Sequence, residues 1–426
     1  MKVTLMKQLK TFLFSLLFIS LTLNACQAPV TPSATPTPIP PSPTAPPQGA
    51  FYSGQYRNLF KEMLGESDTE TQAILDAAWN QLFYGDDDTQ RVYYPVGDDM
   101  AYIEDIGDED VRTEGMSYGM MIAVQLNKKE EFDRIWKWTK TYMYHADGLY
   151  QGYFAWHCRP DGFVIDANPA SDGEEWFAMA LFFAAGRWGN GDGIYNYQAE
   201  AQAILDTMLH KSEEDNGLAK SMFDPTHKQV VFVPSGPGVR FTDPSYHVPA
   251  YYELWARWAD KDNSFWPEAA AASRQFFKKA AQPSTGLMPD YAEFDGTPYA
   301  DDFHKDFRFD AWRNAMNVAV DYAWFAADEW EVEQSDRLLN FFYNQGLNSY
   351  ANQYTLEGEP LSSNHSPGLV AMNAVAGLAA TTDQSPEFVK ELWNTSIPSG
   401  HWRYYDGLLY FLALLHASGN FRIYAP

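Results

Sequence analysis

Acidic side chains recur in this chain at the starts of segments with helical periodicity, and each stands among glycine and aromatic residues. Glu114 opens Thr113-Glu114-Gly115-Met116-Ser117-Tyr118-Gly119, Asp172 opens Asp172-Gly173-Glu174-Glu175-Trp176-Phe177, and Asp310 lies in Phe309-Asp310-Ala311-Trp312-Arg313. Asp243 in Asp243-Pro244-Ser245-Tyr246 is a helix cap followed by proline at the first helical position. Taken singly, each acid is accounted for by capping and by the helix dipole. Capping does not account for the tryptophan, tyrosine and glycine around them. Two carboxylates facing each other across an aromatic cleft suit glycosidic cleavage, in which one protonates the leaving oxygen and the other activates water or attacks carbon. The acid must keep its proton near neutral pH. Burial and neighbouring carboxylates favour this, whereas the dipole of its own helix opposes it.

Such residues converge only if the elements carrying them do. Apolar residues at i, i+3 and i+4 predict about twelve helices, near 69–84, 113–127, 129–144, 172–187, 197–210, 244–259, 264–281, 308–328, 332–346, 366–381, 384–394 and 403–419. Strand-like runs are few, Gln229 to Val233 and Arg91 to Tyr94, so a doubly wound sheet is excluded. Each helix has to bury a stripe, and six antiparallel hairpins closed into a ring bury all twelve. The even-numbered helices, rich in small and aromatic residues, are the inner layer. They all run the same way, so their N-termini gather at one rim with Glu114, Asp172, Asp243, Tyr246, Asp310, His365, Tyr404, Tyr405 and Asp406. The expected fold is all-α, an (α/α)6 barrel.

Composition narrows the partners. The 426 residues are 46% hydrophobic and 20% charged, which supports a large core. Lys and Arg number 30 against 56 Asp and Glu, and the net charge of −26 disfavours nucleic acid and anionic lipid as ligands. The 16% aromatic content suits a neutral ligand with apolar faces, such as a sugar. Gly115-Met116-Ser117-Tyr118-Gly119 matches the esterase nucleophile elbow in form, but the acidic stretch before it does not read as a central strand. The nine histidines show no metalloprotease spacing, and no CxxC, P-loop or dinucleotide motif occurs, so neither cofactor nor metal is expected. Asp86-Asp87-Asp88 and Asn190-Gly191-Asp192-Gly193 read as solvated loops.

Residues 1–25 carry Lys2, Lys7 and Lys10 and then an apolar run too short to span a bilayer comfortably, as in an export signal. Leu23-Asn24-Ala25-Cys26 resembles a bacterial lipobox, which makes Cys26 the lipidated first residue of a cell-envelope protein facing the periplasm or exterior, its only attachment to membrane. Residues 26–50, rich in Pro, Thr and Ser, form a tether, and 51–426 one catalytic domain. Cys158 then has no partner for an internal disulfide.

From Asp110-Val111-Arg112-Thr113-Glu114-Gly115 through Asp243-Pro244-Ser245-Tyr246-His247, Tyr291-Ala292-Glu293-Phe294 and Arg403-Tyr404-Tyr405-Asp406, the sequence resembles glycoside hydrolase family 8 over essentially all of 51–426. It is most similar there to members that release xylose from reducing ends. The resemblance implies an (α/α)6 barrel that cuts β-1,4 linkages with inversion, with xylo-oligosaccharide as the partner. It implies Glu114 as proton donor, Asp310 as proton acceptor and Asp172 as a ligand of the distorted central sugar, with Tyr246 near the attacking water. It extends sugar binding to Arg313, Tyr118, Trp176 and Tyr405, and makes His365, in Ser363-Asn364-His365-Ser366-Pro367, the histidine of a loop that blocks one end of the cleft. An open loop there would instead give an endo-xylanase or endoglucanase. A non-catalytic sugar-capture lipoprotein is the reading that needs no acid and base pair.

Overall fold

The computed structural model describes residues 48–214 and 217–426. The export signal, Cys26 and nearly all of the tether lie outside the described residues. The tether's predicted last residues do not: Gly49 and Ala50 are buried, and a one-turn helix, Ala50–Ser53, stacks Phe51 on Phe325 at 5.2 Å. The folded body therefore begins slightly earlier than residue 51. A side chain at 49 would meet the carbonyl oxygen of Trp324 at 2.1 Å, so glycine is required where the chain docks.

All twelve predicted helices are present: α1 Asp68–Tyr84, α2 Thr113–Gln125, α3 Lys129–Tyr142, α4 Ser171–Trp188, α5 Tyr197–Glu214, α6 Pro249–Trp258, α7 Phe265–Ala280, α8 Asn314–Phe325, α9 Trp330–Gly346, α10 Pro367–Ala376, α11 Ser385–Asn394 and α12 Arg403–Ala417. Two begin later than the periodicity predicts, each after a separate 3-10 turn, Pro244–Tyr246 before α6 and Phe309–Arg313 before α8. In the first case Pro249 is the reason, because the residue before a proline is pushed out of the helical region, and Val248 sits at φ −123°, ψ 64°.

The even-numbered helices are the inner ring. Every residue from Gly115 to Gln125 of α2 and from Ser171 to Ala185 of α4 is buried, as is all of α10 after its first proline. Outer helices bury one stripe only, as α3 does with Phe132, Ile135, Trp136, Trp138 and Thr139. Around the ring α2 packs on α4, α6 on α8, α8 on α10, α10 on α12 and α12 on α2. The α4–α6 contact is made by side chains, Trp176 against Tyr251 at 5.4 Å and the Tyr252 hydroxyl donating to Glu175 Oε1 at 2.5 Å. Each outer helix packs on its ring partner, α3 on α2, α5 on α4 and so on, with α1 on α12 closing the set.

Strands are short and peripheral: a hairpin of β1 Tyr93–Val96 and β2 Met100–Ile103, a ladder of β3 Val111–Arg112, β4 His157–Cys158 and β5 Val164–Asp166, and a pair, β6 Phe223–Asp224 with β7 Gln229–Val230. The run predicted at 229–233 pairs over two residues only. Cys158 is buried and free, and burial pushes its thiol up to about 12, so it is inert as a nucleophile. Among the described residues no helix is long and apolar enough to cross a membrane.

Inner helices approach closely where their N-termini meet. A Cβ on Gly173 of α4 would lie 2.5 Å from Cβ of Thr113 at the start of α2. Gly173→Ala is expected to force these helices apart and to cost about 1–3 kcal/mol, the range for overpacking. Denaturant unfolding should show this, whereas Gly54→Ala, with open space around it but a left-handed φ of 68°, changes only local backbone strain.

Candidate active site

Glu114 is placed by a strand that becomes a helix. β3 pairs Arg112 with His157, the Thr113 amide donates to Trp156 O at 3.0 Å, and the chain turns directly into α2. Glu114 Oε2 accepts from Arg313 Nη1 at 2.9 Å, and Oε1 accepts from the Tyr404 hydroxyl at 3.0 Å. Gly115 makes the second bond possible, since a Cβ there would lie 2.4 Å from Tyr404 Cε2. Burial pushes the Glu114 carboxyl up to about 7, and the charges of Asp310 and Asp172 add to the rise against the lowering pull of Arg313 and Arg112.

Asp310 and Arg313 share the 3-10 turn before α8. Side chains three apart eclipse on such a turn, and Arg313 Nη2 stands 3.1 Å from Asp310 Oδ1. The same guanidinium donates from Nη1 to the Tyr118 hydroxyl at 2.7 Å and to Asp172 Oδ2 at 3.4 Å, and from Nη2 to Ser245 Oγ at 2.8 Å. Asp243 Oδ2 lies 4.0 Å from Nη2. One cation, its side chain 2% exposed, thus pairs with three carboxylates, Glu114, Asp172 and Asp310, while a fourth, Asp243, lies at the limit of reach with its Oδ2 unbonded. Only a planar fork of five donors can serve partners in so many directions.

The predicted residues fall into two layers. On the cleft wall with Glu114 and Asp310 are Tyr405, whose hydroxyl donates to Phe309 O at 3.0 Å, and His365. The cleft has a volume of about 930 Å³. Beneath it lie Arg313, Tyr118 and Trp176: Trp176 is 4% exposed and meets Tyr118 edge-on at 4.6 Å, while Tyr118 is 1% exposed. These two, expected to touch sugar, are buried, with Tyr118 accepting from Arg313 and Trp176 packed on Tyr118. Asp172 is 6% exposed, and Tyr246 lies with its ring under the Arg313 guanidinium at 5.7 Å. His365 has both ring nitrogens engaged, Nδ1 with Tyr350 O at 2.9 Å and Nε2 with Glu391 Oε1 at 3.0 Å. Both partners are acceptors, which favours the doubly protonated ring, and its pKa is raised by Glu391 and the Tyr350 carbonyl over the opposing effect of burial. Ser117 is buried inside α2 with its hydroxyl donating to Glu114 O, so the esterase-like motif presents no exposed nucleophile.

Sequence reasoning assigned Asp243 to capping, and its Oδ1 does accept from the Ser245 amide at 2.7 Å. It did not find that Asp243, Asp290 and Asp310 bring carboxylate oxygens within 4.8 Å of one another. Asp290 follows Pro289 in the irregular segment between α7 and α8, where no periodicity points inward. Burial pushes its carboxyl up to about 6, against the hydrogen bond between its Oδ2 and His304 Nδ1 at 2.6 Å. His304 stacks on Tyr291 at 4.0 Å and lines the cleft. Tyr404 was placed at the rim, but its bond to Glu114 had no sequence signal.

Glu114 should titrate near 7. Difference infrared spectra of the wild type against Glu114→Gln are expected to show a protonated-carboxyl band that disappears with that midpoint. Arg313→Met, which removes the charge that lowers it, should move the midpoint upward. Titration at about 4.3, the ordinary glutamate value, would refute the desolvated environment.

The family model for glycosyl hydrolases family 8 matches residues 72–419. The reducing-end xylose-releasing exo-oligoxylanase Rex8A of Paenibacillus barcinonensis is 50% identical over 383 residues, covering 88% of this chain and 99% of the relative. A reducing-end xylose-releasing exo-oligoxylanase of Halalkalibacterium halodurans is 46% identical over 89% of this chain and 97% of its own length. Among solved structures, Rex8A of Paenibacillus barcinonensis complexed with xylose superposes with a TM-score of 0.85 at 49% identity, covering 89% of this chain and all of the other. With twelve helices in the order and burial of an (α/α)6 barrel, and acids converging at its rim, the chain belongs to glycosyl hydrolases family 8.

Proposed function

We propose that the chain is an inverting glycosidase that releases xylose from the reducing end of β-1,4-xylo-oligosaccharides, with Glu114 as acid and Asp310 as base. The observation that carries this is the single guanidinium of Arg313 set between the two carboxylates. Glu114 bonds to Nη1 and Asp310 to Nη2, so their separation is capped at two hydrogen bonds and the width of a guanidinium. Inversion requires a separation of about 6.5–9.5 Å, which leaves room for an attacking water. Glu114, with its pKa raised to about 7, holds a proton over the acidic and neutral range and gives it to the departing glycosidic oxygen. Asp310 takes a proton from the water that attacks the anomeric carbon, and a bond forms on the face opposite to the one that breaks. Asp172, buried beside Arg313, accepts a hydroxyl of the central sugar, and Tyr246 borders the water. The activities of the two relatives named above support xylose and the reducing end.

Upstream, we propose that Cys26 carries lipid and that the Pro, Thr and Ser tether holds the enzyme off the envelope surface.

Two experiments decide. Xylotriose labelled at its reducing end should yield labelled xylose of inverted configuration, while the same trimer reduced to the alditol stays uncut; cleavage of both makes the enzyme an endo-xylanase. Activity should fall along an alkaline limb with a midpoint near 7, because the acid must be protonated, and Glu114→Gln should cost at least about 10²-fold in kcat while oligosaccharide binding persists. A mutant of unchanged activity removes Glu114 from the mechanism. For the anchor, Cys26→Ser should shift the protein from the membrane fraction to the soluble fraction.

A further inference from the structure

The loop between α6 and α7 lies at the end of the barrel opposite the catalytic rim, because it follows the C-terminus of an inner helix. There it meets α5, and three side chains that no step above uses come together. Asp206 and His210, four apart, share one face of α5, and Asp262 reaches them from the loop. One ligand atom of each lies within 4.8 Å of the other two, and His210 Nε2 stands 2.8 Å from Asp262 Oδ2. Tetrahedral zinc holds its ligand atoms at about 2.0–2.2 Å, and hence about 3.3–3.6 Å from one another, so small side-chain rotations seat the ion. The other ring nitrogen, Nδ1, is 3.2 Å from Glu213 Oε1. This is the carboxylate that stands behind a ligating imidazole: with its hydrogen on Nδ1 toward Glu213, the ring presents the Nε2 lone pair to a cation. Lys261 donates to Asp206 Oδ1 at 3.0 Å, and the carboxylate has a second oxygen to offer. The loop is fixed against α5, since Gln202 accepts from the Asp260 amide at 2.9 Å and donates to Trp258 O at 2.7 Å. A cavity of about 160 Å³ opens beside Asp206 and Asp262, with room for water as a fourth ligand.

We propose that Asp206, His210 and Asp262 form a zinc site that fastens α5 to the loop between α6 and α7. One imidazole with two carboxylates is a donor set for a borderline divalent ion, whereas calcium takes about six to eight oxygens. A bound ion ties together segments 52 positions apart, in a chain whose described cysteine is free. The site stands apart from the cleft and acts on stability, not on the chemistry.

The test titrates the full chain, freed of metal with chelator, with Zn²⁺ in a calorimeter. The wild type should bind one ion tightly, and His210→Ala and Asp262→Asn should each weaken it by at least about 100-fold. Glu213→Gln, which removes no ligand, should weaken it by about tenfold. The Glu213 side chain is 75% exposed, so this variant keeps the fold even if a ligand variant does not. His227→Ala is the control: it breaks an exposed pair with Asp224 at 2.8 Å, two ligands and not three, and should bind as the wild type does. Thermal melting gives a second readout, because an ion that binds only the folded chain stabilises it. Zn²⁺ should raise the Tm of the wild type and of His227→Ala and leave that of His210→Ala where it was. No stoichiometric binding by the wild type, unchanged affinity in Glu213→Gln, or a Tm rise that survives in His210→Ala overturns the proposal.

Discussion

A single buried cation organises this rim. Arg313 belongs to the turn before α8, yet its Nη1 reaches Glu114 and Tyr118 on α2, which stands opposite α8 in the ring. On the way it meets Asp172 of α4 and Ser245 before α6, and Asn317 of α8 donates to Ser245 O at 2.7 Å. The guanidinium is thus a cross-brace over the end of the barrel. Burying a charge costs several kcal/mol unless partners replace its water, and here every donor direction is occupied. Four carboxylates around one cation cannot all ionise cheaply. The excess is relieved by protonation, and the acid at the cleft wall, Glu114, is one that keeps its proton.

Whether the helix dipole or burial sets that proton is a question of size. A carboxylate at a helix N-terminus gains about 0.3–1 kcal/mol, and up to about 2 in favourable geometry, or roughly one pKa unit. Full burial shifts a carboxyl by up to about 3–5 units the other way. Glu114 rises to about 7 with burial as the first cause and the charges of Asp310 and Asp172 adding to it, against the lowering pull of Arg313 and Arg112. The ring of parallel inner helices therefore has two opposed electrostatic effects. It collects positive dipole ends that attract carboxylates to the rim, and it packs them tightly enough to raise one of them, Glu114, to about 7. Asp310 keeps 29% of its side chain exposed and stands 3.1 Å from Nη2 of the same guanidinium.

Much of this was legible in sequence because the inner helices carry no polar face. An all-round apolar stretch such as Trp176 to Ala185 has only one place to go in a ring, and once the layers alternate the rim residues follow. What remained hidden has a common cause. The roles of Trp176 and Tyr118 depend on depth, and helical periodicity gives direction but not depth. The 3-10 turn that eclipses Asp310 with Arg313 looks like an ordinary helix start, because its spacing of three is also a helical spacing. Asp290 and His304 come from connecting segments, where position is set by what the loop packs on and not by any repeat. Tyr404 needed Gly115 opposite it to reach Glu114, a pairing across 290 positions that no local pattern encodes.

That long range has a consequence for how the site is made. Arg313 joins residues 199, 195 and 141 positions away, and Tyr404 closes on Glu114 from the last helix. No hairpin owns the acid and its supports together. With α2 and α8 facing each other, Glu114 meets Arg313 only after the hairpins between them have packed and α12 has returned to α2. In the closed ring burial raises Glu114, and Asp310 stands on the other arm of the same guanidinium. Catalytic competence is in this sense a property of the completed ring, which explains why a barrel without an internal disulfide must be packed so tightly at the end where the chemistry lies.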